Sequence, residues 1–126
     1  MIFDLNRVEL IGRLGREPEM RYTPGGKVVT TFRLATNRRG QPETEPQTDW
    51  HTIVCWEKLA ELAGEYLSKG RLVFIAGRLT YRSWEDRDGR PRWATEVVAN
   101  ELILLDRRPE AAPTDSPTPS DDDVPF

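Results

Sequence analysis

Hydrophobic and polar positions alternate with period two through most of the first hundred residues, and the places where the alternation breaks divide the chain into elements. In "LNRVELIGRL", residues 5–14, Val8, Leu10, Gly12 and Leu14 fall on one side and Arg7, Glu9, Ile11 and Arg13 on the other, the spacing of a half-buried strand. "GREPEMRYTPGGK" interrupts the pattern with Pro18, Pro24 and the Gly25 and Gly26 pair, whose access to positive φ suits a hairpin turn. A second strand follows in "VVTTFRLATN", rich in the β-branched residues that fit a pleated surface. Residues 38–49 are polar and carry prolines, which predicts a mobile loop rather than a simple hairpin connection. The third strand, "WHTIVCW", sets Trp50, Thr52, Val54 and Trp56 on one face and His51, Ile53 and Cys55 on the other.

The period then changes. In "EKLAELAGEYLSKG", Leu59, Leu62, Ala63, Tyr66 and Leu67 recur at spacings of three and four, with Glu57 near the start, Lys69 near the end and Gly70 placed as a C′ cap. This is the pattern of one short amphipathic helix. Alternation resumes in a long fourth strand, "RLVFIAGRLTYRSW", where Gly77 marks a sharp bend. Asp88 and Gly89 signal a reversal into a fifth strand, "RWATEVVANELILLD", with a bulge or register change expected near Asn100. Five strands with a helix between the third and fourth is the order of an all-β, five-stranded Greek-key barrel of the OB type, a fold whose strands 2 and 3 and loops present oligonucleotides or oligosaccharides. No internal repeat is visible, so one such unit is expected.

Composition changes the picture at the carboxyl-terminal end. Five of the ten prolines lie from Pro109 onward, among Ala, Thr, Ser and Asp, with Val124 and Phe126 as the larger apolar residues. Such a stretch buries too little surface to offset the entropy of ordering it, so a flexible tail is expected. The formal net charge of -3 is uneven: residues 108–126 set five acids against Arg108, leaving 17 basic and 16 acidic residues in the rest. A near-neutral body excludes nucleic-acid binding by bulk charge alone, and any such role needs a local groove with another source of affinity.

One cysteine and one histidine argue against a disulfide framework and against a Cys- or His-rich metal site, so no metal and no cofactor are expected. Neither a signal-type segment nor a bilayer-length apolar run is visible, and a reducing, cytoplasmic location is expected. His51 reads as a packed histidine and Cys55 as a small buried hydrophobe. "GGK" at Gly25 to Lys27 lacks the Walker pattern and precedes a strand. Glu57, Glu61 and Glu65 lie at spacing four on a solvated helix face. No catalytic constellation emerges, and the chain reads as a non-enzyme.

With these elements in hand, "NRVELIGRLGREPEMRY", "TDWHTIVCWEKLAELAGEYLSKG", "GRLTYRSWEDRDG", "TEVVAN" and the terminal "DDDVPF" together resemble the bacterial single-stranded DNA-binding proteins. The resemblance implies one OB domain over residues 1–107, a linker over 108–120 and an acidic partner-binding tip over 121–126. It also implies that Trp50, Trp56 and Trp84 stack on bases, although Trp56 stands where phenylalanine is common in the family. Some relatives carry a further stacking tryptophan where this chain has polar residues around Arg38 and Arg39. A sequence-indifferent binder meets bases with flat aromatic rings and phosphates with Lys or Arg. The further DNA-binding candidates are Phe74, Arg33, Arg38, Arg39, Arg78, Arg82, Arg90 and Arg92; Trp93, on the alternation of Thr95, Val97 and Ala99, is left open between core, interface and DNA contact.

The resemblance further implies a homotetramer, with Asn6, Val8 and Leu10 similar to the family's dimer-forming edge, and a place beside DNA in the nucleoid. Asp121, Asp122 and Asp123 supply charge for basic pockets, while Val124, Pro125 and Phe126 supply an anchor that suits capture of a carboxyl terminus by replication, recombination and repair proteins. The competing reading is an OB-fold interaction module that acts in assembling replication complexes.

Overall fold

The alternating segments form one closed sheet, because each has an apolar face that a single layer cannot hide. The structure, a computed structural model, describes residues 3–38 and 47–106. Its elements are β1 (Val8–Leu14), β2 (Glu19–Tyr22), β3 (Val28–Arg38), β4 (Gln47–Trp56), α1 (Glu57–Tyr66), β5 (Leu72–Glu85) and β6 (Pro91–Leu104). The strands run in the order β1-β5-β6-β4-β3-β2, and a further pairing of β1 with β3 closes the barrel. All pairings are antiparallel except β4 with β6, which is parallel.

The expected OB barrel is therefore present, with one strand more than the alternation predicts. β2 spans four residues in the stretch read as a break, and it pairs with β3 from Glu19 opposite Thr31 to Tyr22 opposite Val28. Too short to show a periodic pattern, it is held by the hairpin turn through Gly25 and Gly26 that the sequence does signal. In that turn the Thr23 and Lys27 backbones are hydrogen-bonded at 2.8 Å. The loop expected over residues 38–49 is also narrower: β3 continues to Arg38 and β4 begins at Gln47, which are partners in the ladder.

Leu34, Ile53, Cys55, Val73 and Ile75 are fully buried inside the barrel. Cys55 is the expected small hydrophobe, and burial pushes its thiol up to about 12. His51 is half-buried and bonded through Nε2 to the Thr36 hydroxyl at 2.9 Å, the packed role expected of it. The helix rests on the barrel through Ala60 and Ala63, and the buried Thr30 hydroxyl donates to the Ala60 carbonyl at 2.7 Å. It ends at Tyr66, so Gly70 is not its cap: Gly70 lies in the following turn, where its N–H donates to the Leu14 carbonyl. Leu62 and Tyr66, expected on the buried stripe, are exposed, because a helix packed through two alanines presents a narrow face.

Gly77 behaves as the alternation predicts. The β5–β6 register passes from Ala76 opposite Glu101 to Gly77 opposite Ala99, which leaves Asn100 as the extra residue of a bulge. A side chain at Gly77 would run into the Val98 carbonyl, so the bend depends on the missing Cβ. Below the bend, Arg71 is buried and fixes the frame. Its Nε donates to Asp106 Oδ1 at 2.9 Å, Nη2 to the Asp106 carbonyl at 3.1 Å and Nη1 to the Tyr66 carbonyl at 3.3 Å, tying the ends of β6 and α1 to the start of β5. Burial acts to raise the Asp106 carboxyl, but Arg71 and the Leu72 N–H outweigh it and hold the group below the usual carboxylate range.

Candidate nucleic-acid interface

Directly paired residues share a sheet face, so the registers place side chains across the barrel without further assumption. One row runs Arg33, Thr52, Glu96, Thr80 across β3, β4, β6 and β5. The next runs Thr31, Val54, Val98, Arg78 over the same strands. Trp56 continues the face opposite Val29, whose other neighbour is Arg21; Trp50 does so opposite Ala35, and Trp84 opposite Arg92. Thus Trp50, Trp56 and Trp84, together with Arg33, Arg78, Arg82 and Arg92, lie on the outward face of one set of strands.

The tryptophans are not core residues. Trp50, Trp56 and Trp84 are 49%, 40% and 42% exposed, whereas Ile53 and Cys55, their neighbours on β4, are fully buried. Their rings are held from beneath and from the side. Trp50 packs against Gly15, where any Cβ would collide with the indole, and the Arg33 guanidinium carbon lies 5.4 Å from its ring centre. Gly15, Arg16, Arg33 and Trp50 line a cavity of about 250 Å³ open to solvent. Trp56 is the last residue of β4, and Glu57 at φ 55° turns the chain sharply so that the helix departs beneath while the indole stays outside.

Between Trp56 and the hairpin formed by β5 and β6 lies a wider cleft of about 560 Å³, lined among others by Tyr22, Thr31, Thr52, Trp56, Arg82 and Glu96. Arg82 connects this cleft to the hairpin. Its Nε and Nη2 donate to Glu96 Oε2 at 3.0 and 2.9 Å, while its guanidinium lies 4.6 Å from the Trp84 ring centre. A cation over an indole face at such separations attracts the ring quadrupole and fixes the ring plane. At the hairpin turn, Asp86 accepts the Asp88 and Arg90 N–H groups through Oδ1 and the Arg92 guanidinium through Oδ2. The Arg90 N–H above all, aided by Arg92 and Asp88, holds its carboxyl below the usual range.

Not every candidate reaches this face. Phe74 shares parity with Trp84, but ten residues at about 3.3 Å each separate them along a bent strand. Its registered neighbours are Ile11 and Ile103, an apolar row on another sector of the barrel. Arg38 falls on the opposite parity from Arg33 and is paired with Asp49 at 3.1 Å. Arg90 is exposed in the hairpin turn, and Arg39 lies outside the described residues. Trp93, 70% exposed, lies on the back of the hairpin with Tyr81, and is not core in this chain. The alternation missed Arg16, Arg21, Tyr22 and Glu96. The first three sit in or beside the short β2; the "TEVV" step that puts Glu96 level with Thr52 shows only once β4 and β6 are paired.

A face that joins half-exposed indoles to arginines over an OB barrel has relatives. The single-strand binding protein family model matches residues 5–105. The chain belongs to the single-strand binding protein family. It is 48% identical over 110 residues to the single-stranded DNA-binding protein of Neisseria meningitidis serogroup A, a match covering 84% of this chain and 63% of that protein. The Clostridium tetani single-stranded DNA-binding protein is 48% identical over 103 residues, covering 81% of this chain and 71% of its own length. Among solved structures, the Plasmodium falciparum SSB complex with ssDNA superposes with a TM-score of 0.75 at 40% identity, covering 84% of this chain and 99% of that one. Among the described residues, no group of three or more His, Cys, Asp or Glu could hold a metal ion, and no helix is long and apolar enough to cross a membrane.

Proposed function

We propose that this protein binds single-stranded DNA without regard to sequence, by stacking unpaired bases on Trp50, Trp56 and Trp84 while Arg33, Arg78 and their neighbours meet the phosphates. The observation that carries this reading is three indoles, each roughly half exposed, on one barrel face with two arginines packed over two of them. Stacking is indifferent to sequence because every base has a π face, and each stack is worth about 1–3 kcal/mol. A duplex hides those faces, so preference for the single strand follows. The chain acts by binding free energy alone, protecting exposed strands, in the cytoplasm and with the nucleoid.

Assembly as a homotetramer belongs to the same reading. It is supported by the edge of β1 from Val8 to Ile11, which has no strand partner beyond β5 among the described residues, and by the row in which half-buried Phe74 lies between exposed Ile11 and Ile103. Asn6 braces that strand, exchanging two 2.9 Å hydrogen bonds with the Leu79 backbone. Asp121 to Phe126 lie outside the described residues; their acidic charge and single aromatic support recruitment of replication, recombination and repair proteins.

Competition between labelled oligothymidylate and a duplex of equal length tests the core of the reading. Preference for the single strand, weakening as salt rises, is the expected result, and equal affinity for both refutes it. Mass in solution is expected at four chains, and a monomer would contradict the assembly. Deleting Phe126 is expected to abolish capture of partner proteins while DNA affinity stays within about twofold.

A further inference from the structure

One carboxylate sits where a DNA-binding face should not want one. Glu96 lies in the middle of the row from Arg33 to Thr80, with its side chain 12% exposed, and lines the cleft beside Trp56 and Tyr22. Its partner Arg82 commits both Nε and Nη2 to one carboxylate oxygen, and the same guanidinium lies over Trp84. The other arginine and indole pair of the face, Arg33 over Trp50, has no carboxylate partner among the described residues.

We propose that Glu96 is a specificity-determining positioning residue: by neutralising Arg82 and holding it over Trp84, it makes this part of the face attractive to unpaired bases and unattractive to the phosphates of a duplex. The inference rests on the single-strand reading above and deepens it. A duplex offers phosphates and buries its base faces, so what it gains from a protein surface is mostly cation charge. A single strand offers base faces as well. An arginine whose charge is already matched by a carboxylate adds little to a duplex complex, yet it still fixes the indole plane for a stacked base. Glu96 thus trades general affinity for discrimination, in the sense that specificity is a difference between two affinities.

The test is the near-isosteric change Glu96→Gln, with single-strand and duplex affinities measured from low to moderate salt. Releasing the full charge of Arg82 is expected to raise duplex affinity roughly three- to tenfold at low salt. It should also steepen the duplex log–log salt dependence by about 0.9, the signature of one more phosphate contact. A purely structural role for Glu96 would not move that slope. In Glu96→Gln/Arg82→Gln the gain should vanish, because it acts through Arg82. Arg82→Gln alone, a change on the exposed hairpin that leaves Glu96 intact, is expected to weaken duplex binding by stranding the carboxylate. Duplex affinity and slope unchanged in Glu96→Gln, or a double variant that binds duplex as tightly and with as steep a slope as Glu96→Gln itself, would overturn the inference while leaving the single-strand reading standing. Unmutated protein that fails to prefer the single strand would overturn both.

Discussion

The two ends of the aromatic face hold the same pair of side chains in different electrical settings. At one end Arg33 lies over Trp50 beside Arg16 and makes no salt bridge among the described residues, although Glu17 and Glu19 line the adjoining cleft with it. At the other, Arg82 lies over Trp84 but gives two hydrogen bonds to Glu96, and Arg92, registered opposite Trp84, is taken by Asp86. The first end therefore offers a half-exposed ring under an arginine that forms no ion pair among the described residues. The second offers a ring whose cations are already matched. Counting arginines would rate both ends alike; their partners separate them.

Removing both rings is the most damaging way to probe this comparison. Trp50→Ala with Trp84→Ala is expected to cost about 2–6 kcal/mol of single-strand binding, each single change contributing about half, as read by titration of a labelled oligonucleotide. If one ring carried everything, the two ends would not be a pair. A change in the frame should act differently. Asp106→Ala strands the buried Arg71 and is expected to lower folding stability by about 2–3 kcal/mol in denaturant titrations, without changing affinity per folded molecule. Because the Asp106 carboxyl is held below its ordinary range, its contribution is complete above about pH 4 and is lost as the pH falls through the lowered value. Stability of the Asp106→Ala protein should accordingly fall less steeply on acidification.

Gly15→Ala is a finer probe of the Trp50 end alone. Its methyl group would displace the indole, so single-strand affinity should drop by about 1 kcal/mol, less than on deleting the ring. The smallest effect is expected from charge. Arg33→Ala should flatten the single-strand salt dependence by about 0.7, as one phosphate contact is lost, and Arg82→Ala by clearly less. Equal slopes for the two variants would erase the distinction between the ends.

How much of this was legible in the chain follows from how far each signal reaches. Period-two runs long enough to repeat, as in β4 and β5, disclosed both the strands and the shared side of Trp50 and Trp56. The skipped Asn100 and the bend at Gly77 were legible because each breaks an otherwise strict alternation. β2 was not, since four exposed residues carry no period, and with it went Arg21 and Tyr22. Phe74 misled for a different reason: parity says which side of a strand a residue takes, but a fourteen-residue strand bent in its middle serves two sectors of a barrel. Arg38 and Glu96 depend on pairing between strands. Arg38 lies beyond where the strand was expected to end, and Glu96 becomes central only through the parallel contact of β4 with β6.

Unpaired bases stacked on the indoles of this face would quench their fluorescence, so the emission of the protein itself reports whether stacking occurs. In a Trp93→Phe protein, which removes the ring on the back of the hairpin, saturating oligothymidylate is expected to quench most of the remaining emission, while duplex at the same concentration leaves it nearly unchanged. Emission unaltered at full occupancy of the single strand would contradict the account.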